Sequence, residues 1–299
     1  MQPCNQNLAA TEISDNFVLL NNVLLPSVSI IIPCYNQGHY LKDALSGFDP
    51  GNEDYEIIIV NDGSGQGLNE IDHFRAQGFT ILDQANAGLA AARNTGIAHA
   101  RGQYIMLLDA DNKVEAVFIK AAAAILDTDP DVAVVYSDAL YFGSKTGPWK
   151  VGEFNLQKLM IANYIDACAM VRKSVFEELG GYDTEMKNIK SGWEDWEMWL
   201  RIAFSGKKFR YWPEIGFHYR VDNGSMIGDI KNSYEVRNNL TSYLHNKYPG
   251  KLGHEYITEF VVKRFKPHPF KFIIKLTMIS WFHRKYQQLL NKNKIMKGI

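Results

Sequence analysis

YIMLLDADN, residues 104–112, is an apolar run that stops at two carboxylates, Asp109 and Asp111, one residue apart. An apolar run bounded by polar residues predicts a buried strand. In an open parallel sheet, ligands bind beyond the carboxyl ends of the strands. The two acids therefore fall where such a sheet keeps its chemistry. Paired hard oxygen donors at that place suit Mg²⁺ or Mn²⁺ held together with a diphosphate. The pattern points to an enzyme that uses a nucleotide-activated substrate.

Working outward, strand and helix patterns alternate. Upstream, Val28–Pro33 and Glu56–Asn61 read as strands, Thr80–Asp83 as a short third, and Tyr40–Phe48 and Gly88–Ala100 as helices. Downstream of the Tyr104–Leu108 strand come a helix over Val114–Asp127 and a strand over Val132–Tyr136 that runs into Ser137-Asp138. Strands alternating with helices across short connections predict βαβ units and a mostly parallel sheet. Asp62, Asp109 and Asp138 each follow a predicted strand, and three acids on one rim predict a polar site. No Gly-x-Gly-x-x-Gly and no Walker loop follows the first strand; Pro33-Cys34-Tyr35-Asn36 stands there instead, which argues against dinucleotide enzymes and P-loop NTPases.

The second half is less regular. Helices are expected over Asn155–Ala162, Ser174–Leu179 and Glu194–Phe204, and strands over Ala167–Val171, Lys208–Trp212 and Gly216–Val221. Residues 1–25, rich in Asn and Gln, read as a loose arm. A body over 26–245 follows, with 26–138 and 139–245 as its halves, and then a tail over 246–299.

The formal net charge of -1 hides an asymmetry. From Phe260 to Ile299 there are ten Lys and Arg and no Asp or Glu, which leaves 22 bases against 33 acids upstream. Cys4, Cys34 and Cys168 have neither metal spacing nor an even framework, so a reduced, cytoplasmic compartment is expected. The sequence shows no secretory signal pattern and no uncharged apolar stretch long enough to span a bilayer.

Five ordered fragments carry a resemblance: VSIIIPCYNQGHYLKDAL (28–45), EIIIVNDGS (56–64), NAGLAAARNTGIAHARGQYIMLLDADN (86–112), GWEDWEMWLRIA (192–203) and HYRVDNGSM (218–226). In these the chain resembles the inverting glycosyltransferases of family 2, with the GT-A fold. The resemblance covers roughly residues 26–226 and implies a Rossmann-like sheet whose first half holds a nucleotide sugar, a UDP-sugar first among candidates. It implies that Pro33, Tyr35, Asp62, Arg93, Asn94 and Asp109 border the donor. It also implies that Asp111, with a share from Asp109, holds Mn²⁺ or Mg²⁺, so that the cation assists departure of the diphosphate. Each residue has a plainer reading beside it. Tyr35 can cap the sheet, Asp62-Gly63-Ser64 can be a turn, Arg93 a surface helix residue, and Asp111-Asn112 a helix start. Asp109 fits a plain role least, because a carboxylate next to a buried strand is costly unless paired or metal-bound.

The resemblance places the general base of an inverting transfer in the pair Glu194-Asp195. Ser191-Gly192-Trp193-Glu194 also matches a capping box. That reading turns Glu194 back to the backbone of Ser191, leaves Asp195 as the base, and expects the helix N-terminus to keep Asp195 ionised. Trp193, Trp196 and Trp199 recur on one helical face. Trp196 and Trp199 are expected in the core, and Trp193 either in the core or stacked on an acceptor sugar. Many relatives carry Tyr-Arg-x-His here, the His being a metal ligand; this chain has Asp222 at that position and His218 four residues earlier. Either residue, or neither, is expected to reach the metal.

The basic tail, with its aromatic residues, either lies on an anionic membrane surface or packs as a helix on the acidic body. The first reading, carried forward, puts a lipid-linked glycan acceptor at the cytoplasmic face. It gives no nucleic-acid role, since no recognition motif accompanies the bases. Two other functions compete with sugar transfer to a glycan: a binding module without catalysis, and a nucleotidyltransferase on a similar sheet.

Overall fold

The computed structural model describes residues 18–20, 23–189, 193–222 and 234–252, with 269–270, 273–274 and 277. The chain divides into two compact units, Met1–Leu240 and Thr241–Ile299. The first contains the sheet.

In chain order the strands are β1 (Val18–Leu20), β2 (Val23–Leu25), β3 (Val28–Cys34), β4 (Tyr55–Asp62), β5 (Thr80–Gln84), β6 (Tyr104–Leu107), β7 (Lys113–Val114), β8 (Val132–Gly143), β9 (Gly147–Trp149), β10 (Met170–Arg172) and β11 (Lys208–Val221). The helices are α1 (Leu41–Ala44), α2 (Leu68–Ala76), α3 (Leu89–His99), α4 (Ala116–Thr128), α5 (Leu156–Ile161), α6 (Lys173–Leu179), α7 (Glu194–Phe204) and α8 (Tyr234–Lys247). β1 and β2 pair antiparallel with each other. The main sheet runs β5-β4-β3-β6-β10-β8-β11-β7, with β9 paired to β8.

β5, β4, β3 and β6 are mutually parallel, as are β8 and β11. β10 runs the other way between the two groups, with Met170 opposite Met106 on one side and Val135 on the other. Ile30, Ile31 and Ile32 are all fully buried. A strand covered on both faces loses the alternation of a half-exposed one, which is why VSIIIP reads as an unbroken apolar run. α3 covers one face closely. A Cβ on Gly96 would lie 2.3 Å from Ile31 Cγ2, so only glycine allows this approach of helix to strand. The mostly parallel sheet flanked by helices is the expected GT-A architecture.

Several local expectations change. The helix over Tyr40–Phe48 is a 3₁₀ turn, Gly38–Tyr40, leading into the four-residue α1. α2 was not legible from the sequence pattern, nor were the two- and three-residue strands β7 and β9. The arm expected to be loose contains the β1–β2 pair. β8 does not stop at Ser137-Asp138 but continues to Gly143. Asp138 therefore sits inside the strand, fully buried, ion-paired to Lys150 at 2.8 Å and accepting from the Val151 amide at 2.7 Å. It is a structural acid, not a rim acid. The two strands expected over 208–221 are one, bent by irregular register between Trp212 and Phe217. Most of the 260–299 tail lies outside the described residues; within it Phe270, Ile273 and Ile274 are exposed.

Candidate active site

The carboxyl ends of β3, β4 and β6 form the rim. The loops after β3 and β4 are fastened together by Asn36, which takes a left-handed conformation (φ 56°). Its side-chain oxygen accepts from the amides of Gly65 (2.8 Å) and Gln66 (3.1 Å), and its own amide donates to Ser64 Oγ at 2.9 Å. Tyr35, beside it, is 50% exposed. Pro33 is buried inside β3. Asp62 is buried with both oxygens in use: Gln84 Nε2 (2.7 Å) and the Ala87 amide (2.8 Å) donate to one, the Gly88 amide (2.9 Å) to the other. It holds the loop that leads into α3.

Arg93 and Asn94, adjacent on α3, reach into the second half of the body. Asn94 is fully occupied by the main chain of Tyr182, accepting from its amide at 2.7 Å and donating to its carbonyl at 2.8 Å. Arg93 is buried. Its guanidinium donates to Asp109 Oδ1 at 2.8 Å and to Glu194 Oε1, and lies 5.3 Å from the centre of the Tyr182 ring. Burial works against the Arg93 charge, but Asp109 and Glu194 more than offset it and push its pKa upward. One fixed cation thus joins the strand-end acids to the Glu-Asp pair.

Asp109 and Asp111 are both partly exposed. Burial, then the charge of Asp109 and in smaller part that of Asp222, push the Asp111 carboxyl up to about 7. Such mutual repulsion is what a bound cation relieves. Among the described residues no three His, Cys, Asp or Glu side chains converge to hold a metal alone. Two carboxylates whose remaining positions are filled by phosphate oxygens are nonetheless a normal Mg²⁺ arrangement, and the donor set fits that shared mode. β11 fixes the loop from the other side. Arg220 Nε donates to the Asp111 carbonyl at 3.0 Å, its amide donates to Asn112 Oδ1 at 2.9 Å, and its Nη2 pairs with Asp43 at 2.6 Å. Asp222 accepts from the Tyr40 hydroxyl at 2.7 Å. His218 is turned to Glu115, with Nε2 2.6 Å from Oε1. Of the two extra metal candidates, then, Asp222 is the one whose charge acts on Asp111.

α7 begins at Glu194, with Trp193 at its cap position and no side-chain cap. Ser191 of the expected capping box lies outside the described residues; the Glu194 carboxylate bonds Arg93. Asp195 is held by Asn163, whose Nδ2 donates to Oδ2 at 2.7 Å, and by the Trp196 amide at 2.8 Å. The expectation of a readily ionised Asp195 is also corrected. Burial, then Glu194, outweigh Arg93, and with Asp166 they push its pKa well above the usual carboxylate range. Trp196 and Trp199 are buried, their indole N–H groups bonded to the carbonyls of Leu159 (2.6 Å) and Ile165 (3.0 Å), as expected of core residues. Trp193 is partly exposed, edge-on to Trp196 with ring centres 5.7 Å apart.

The family model described as glycosyl transferase family 2 matches residues 29–180. The chain belongs to this family. EpsH of Bacillus subtilis, a glycosyltransferase by name, is 29% identical over 68% of this chain and 63% of its own length. An uncharacterized glycosyltransferase of Rickettsia bellii is 26% identical over 82% of this chain, a match that spans 37% of the relative. The chain thus spans less than two thirds of these relatives. Residues 1–349 of S. aureus TarS, solved with UDP-GlcNAc, superpose with a TM-score of 0.57 at 18% identity, covering 74% of this chain and 67% of that one. The mannosyltransferase PcManGT of Pyrobaculum calidifontis, solved with GDP-Man and Mn²⁺, gives 0.52 at 16%, covering 92% and 88%. At these identities the two structures speak for the fold.

One residue of this family 2 cleft escaped the sequence reading. Asp166 precedes β10, and because β10 is antiparallel its N-terminal end lies at the rim where β6 ends. The β10–β6 register ends with Met170 opposite Met106, and Asp166 stands four residues before it, in the turn that leads into β10, its Oδ1 accepting from the Cys168 amide at 2.9 Å. Its signal was an acid at the edge of an apolar run, as for Asp109. The rule for parallel strands looks only at carboxyl ends and so passes over it.

Proposed function

We propose that the protein transfers a sugar from a nucleotide sugar to a hydroxyl of a glycan or lipid-linked glycan, with inversion and with Asp195 as general base. The observation that carries this reading is Arg93, which bonds Asp109 and Glu194 at once and so holds the donor motif and the base-bearing helix in one rigid frame. Inverting transfer needs a base on the acceptor side and charge relief on the leaving-group side. Here a single guanidinium bonds Asp109 on one side and, on the other, Glu194, the neighbour of the proposed base. A carboxylate whose pKa is raised is also a better proton acceptor than an ordinary exposed one.

In this reading Asp109 and Asp111, with Asp222 in preference to His218, would hold Mn²⁺ or Mg²⁺. When bound, the cation would supply Lewis-acid stabilisation of the departing diphosphate. Tyr35 borders the base, and Asp62 acts through the loop it fastens. Asn94 serves by anchoring Tyr182 under Arg93, and Trp193 offers a face to the acceptor. UDP is the first nucleotide to try, since TarS holds UDP-GlcNAc; GDP is the second, since PcManGT holds GDP-Man. No helix among the described residues is long and apolar enough to cross a membrane. The acid-free basic tail, with Phe270, Ile273 and Ile274 exposed at helical spacing, suits an anionic lipid surface at which a lipid-linked acceptor is met.

The test is a panel of UDP- and GDP-sugars with Mn²⁺, read as release of nucleoside diphosphate with an acceptor present. Asp195→Asn should abolish release while leaving nucleotide affinity nearly unchanged. Turnover near the wild-type level in Asp195→Asn would remove Asp195 from the role. Pyrophosphate exchange in place of diphosphate release would mark a nucleotidyltransferase.

A further inference from the structure

Asp195 is gripped from two sides. Its own helix supplies the Trp196 amide to Oδ1 at 2.8 Å, and Asn163, in the segment between α5 and β10, supplies Nδ2 to Oδ2 at 2.7 Å. That segment is fastened to α7 on both sides of Asn163. The Trp196 indole donates to the Leu159 carbonyl, before it in the chain, and the Trp199 indole to the Ile165 carbonyl, after it. Both rings are buried. They fix where the Asn163 amide stands relative to the carboxylate, as a supporting contact must be fixed to orient a reacting group.

The kind of partner matters as much as its place. Arg93 bonds Asp109 and Glu194, and among the described residues the donors to Asp195 are uncharged. A cation bonded to Asp195 would hold it ionised and weaken its pull on a proton, whereas an amide orients it and leaves it basic. The far end of the amide is left open. Asn163 Oδ1 is buried and has no hydrogen-bond partner among the described residues. Buried polar atoms kept for stability alone are paired; the bond this side chain makes among the described residues is the one to Asp195. A half-turn of the amide exchanges its donor and acceptor ends. Nδ2 then serves Asp195 while it is ionised, and Oδ1 serves it once it carries a proton.

We propose that Asn163 is the positioning residue of the transfer, holding Asp195 toward the acceptor hydroxyl and turning its amide over when Asp195 takes the proton. The proposal rests on the sugar-transfer reading above and names the group through which its base works. In the step, the acceptor O–H bond breaks and its electron pair stays on oxygen. That oxygen bonds the anomeric carbon, and the diphosphate leaves with the electrons of the bond it gives up. The proton ends on Asp195 Oδ2, directed at Asn163 Oδ1. Asn163 acts through Asp195 and touches neither donor nor acceptor. The other charged and titratable groups that act on Asp195 are Glu194 beside it, Arg93 on α3, Asp166 before β10, Tyr182 after α6 and Tyr219 on β11. None of them is altered by a substitution at Asn163.

The experiment compares the wild type, Asn163→Leu and Asn163→Asp as full chains with Mn²⁺, on the fastest donor of the UDP- and GDP-sugar panel. It reads kcat, KM and the pH profile of diphosphate release, with Kd for free UDP and GDP. Asn163→Leu removes both ends of the amide, so kcat at pH 7 should fall about ten- to a hundredfold. KM and nucleotide Kd should stay within about twofold, which certifies an intact donor site. The limb assigned to Asp195 should move up by about one pH unit, because a donor to the ionised form is lost. Asn163→Asp keeps the shape but sets a second carboxylate against the base, so it should lose more and move the limb further. If Asn163→Leu no longer holds nucleotide, the isosteric Asn163→Asp decides alone. Turnover and a limb like the wild type's in Asn163→Asp overturn the proposal. So does an unmoved limb in an Asn163→Leu protein that still binds nucleotide. In both cases sugar transfer stands as long as Asp195→Asn abolishes release. If no donor of the panel reacts, sugar transfer falls and this proposal with it.

Discussion

Arg93 meets Asp109 at 2.8 Å beneath the rim, and the same guanidinium bonds Glu194, 101 residues further along the chain. A buried cation with two carboxylate partners is held only as long as both remain. Arg93→Met should destabilise the fold by about 3–5 kcal/mol, since it strands two acids in a poorly solvated place. Urea unfolding followed by circular dichroism checks this. Arg93→Lys keeps the charge but cannot make both bonds with one planar group, and should show an intermediate loss. A variant as stable as the wild type would mean that the acids are solvated without Arg93.

The raised Asp195 predicts a pH profile. A base must be deprotonated to act, so kcat/KM should rise with pH through the Asp195 pKa, and that limb should lie above the usual carboxylate range. Initial rates from pH 4.5 to 9 at saturating Mn²⁺ would locate it. A limb near 4 would show that substrate or cation binding cancels the effect of burial.

Asp111 links metal binding to stability. Its folded pKa of about 7 lies above the unfolded value, so between those two values the folded state binds more protons. Its contribution to stability is therefore fully present at acid pH and is lost as pH rises through about 7. Asp111→Asn should stabilise the metal-free protein at pH 8 by an amount on the order of a few kcal/mol and so raise its melting temperature. Mn²⁺ should stabilise the wild type and not the variant. Calorimetry with and without the cation gives both readings.

Gly96 supplies a packing test away from the chemistry. Its Cβ would stand 2.3 Å from Ile31 Cγ2 in a strand buried on both faces. Gly96→Ala should therefore cost about 1–3 kcal/mol despite the better helix propensity of alanine. A neutral or stabilising result would show that α3 can lift from β3 without loss.

The sheet was legible because its strands are continuous apolar runs, and the rim because Asp109 and Asp111 interrupt one of them. Glu194 to Phe204 was legible as a helix to the residue, its Trp spacing giving the buried face. What escaped depended on partners distant in sequence. Asp138 read as a strand end because Ser137-Asp138 is polar; Lys150 and the Val151 amide, which let the acid stay inside β8, carry no local mark. Nothing near Glu194 in the sequence announces Arg93, 101 residues away, as its charged partner. Asp166 was hidden by direction: nothing in Ala167–Val171 says which way that strand runs.

The reversed strand β10 also decides what can be separated. It lies between β6 and β8, so the stretch expected as a nucleotide half, 26–138, is missing one strand of its own sheet, which is lent by the stretch expected as the acceptor half. Cutting the chain near residue 139 would sever β8 and leave β6 facing an empty lane with a row of unpaired backbone groups. Donor and acceptor preferences in such a protein cannot be exchanged as interchangeable halves. They can vary only through the loops and strand ends that an undivided sheet carries to its rim.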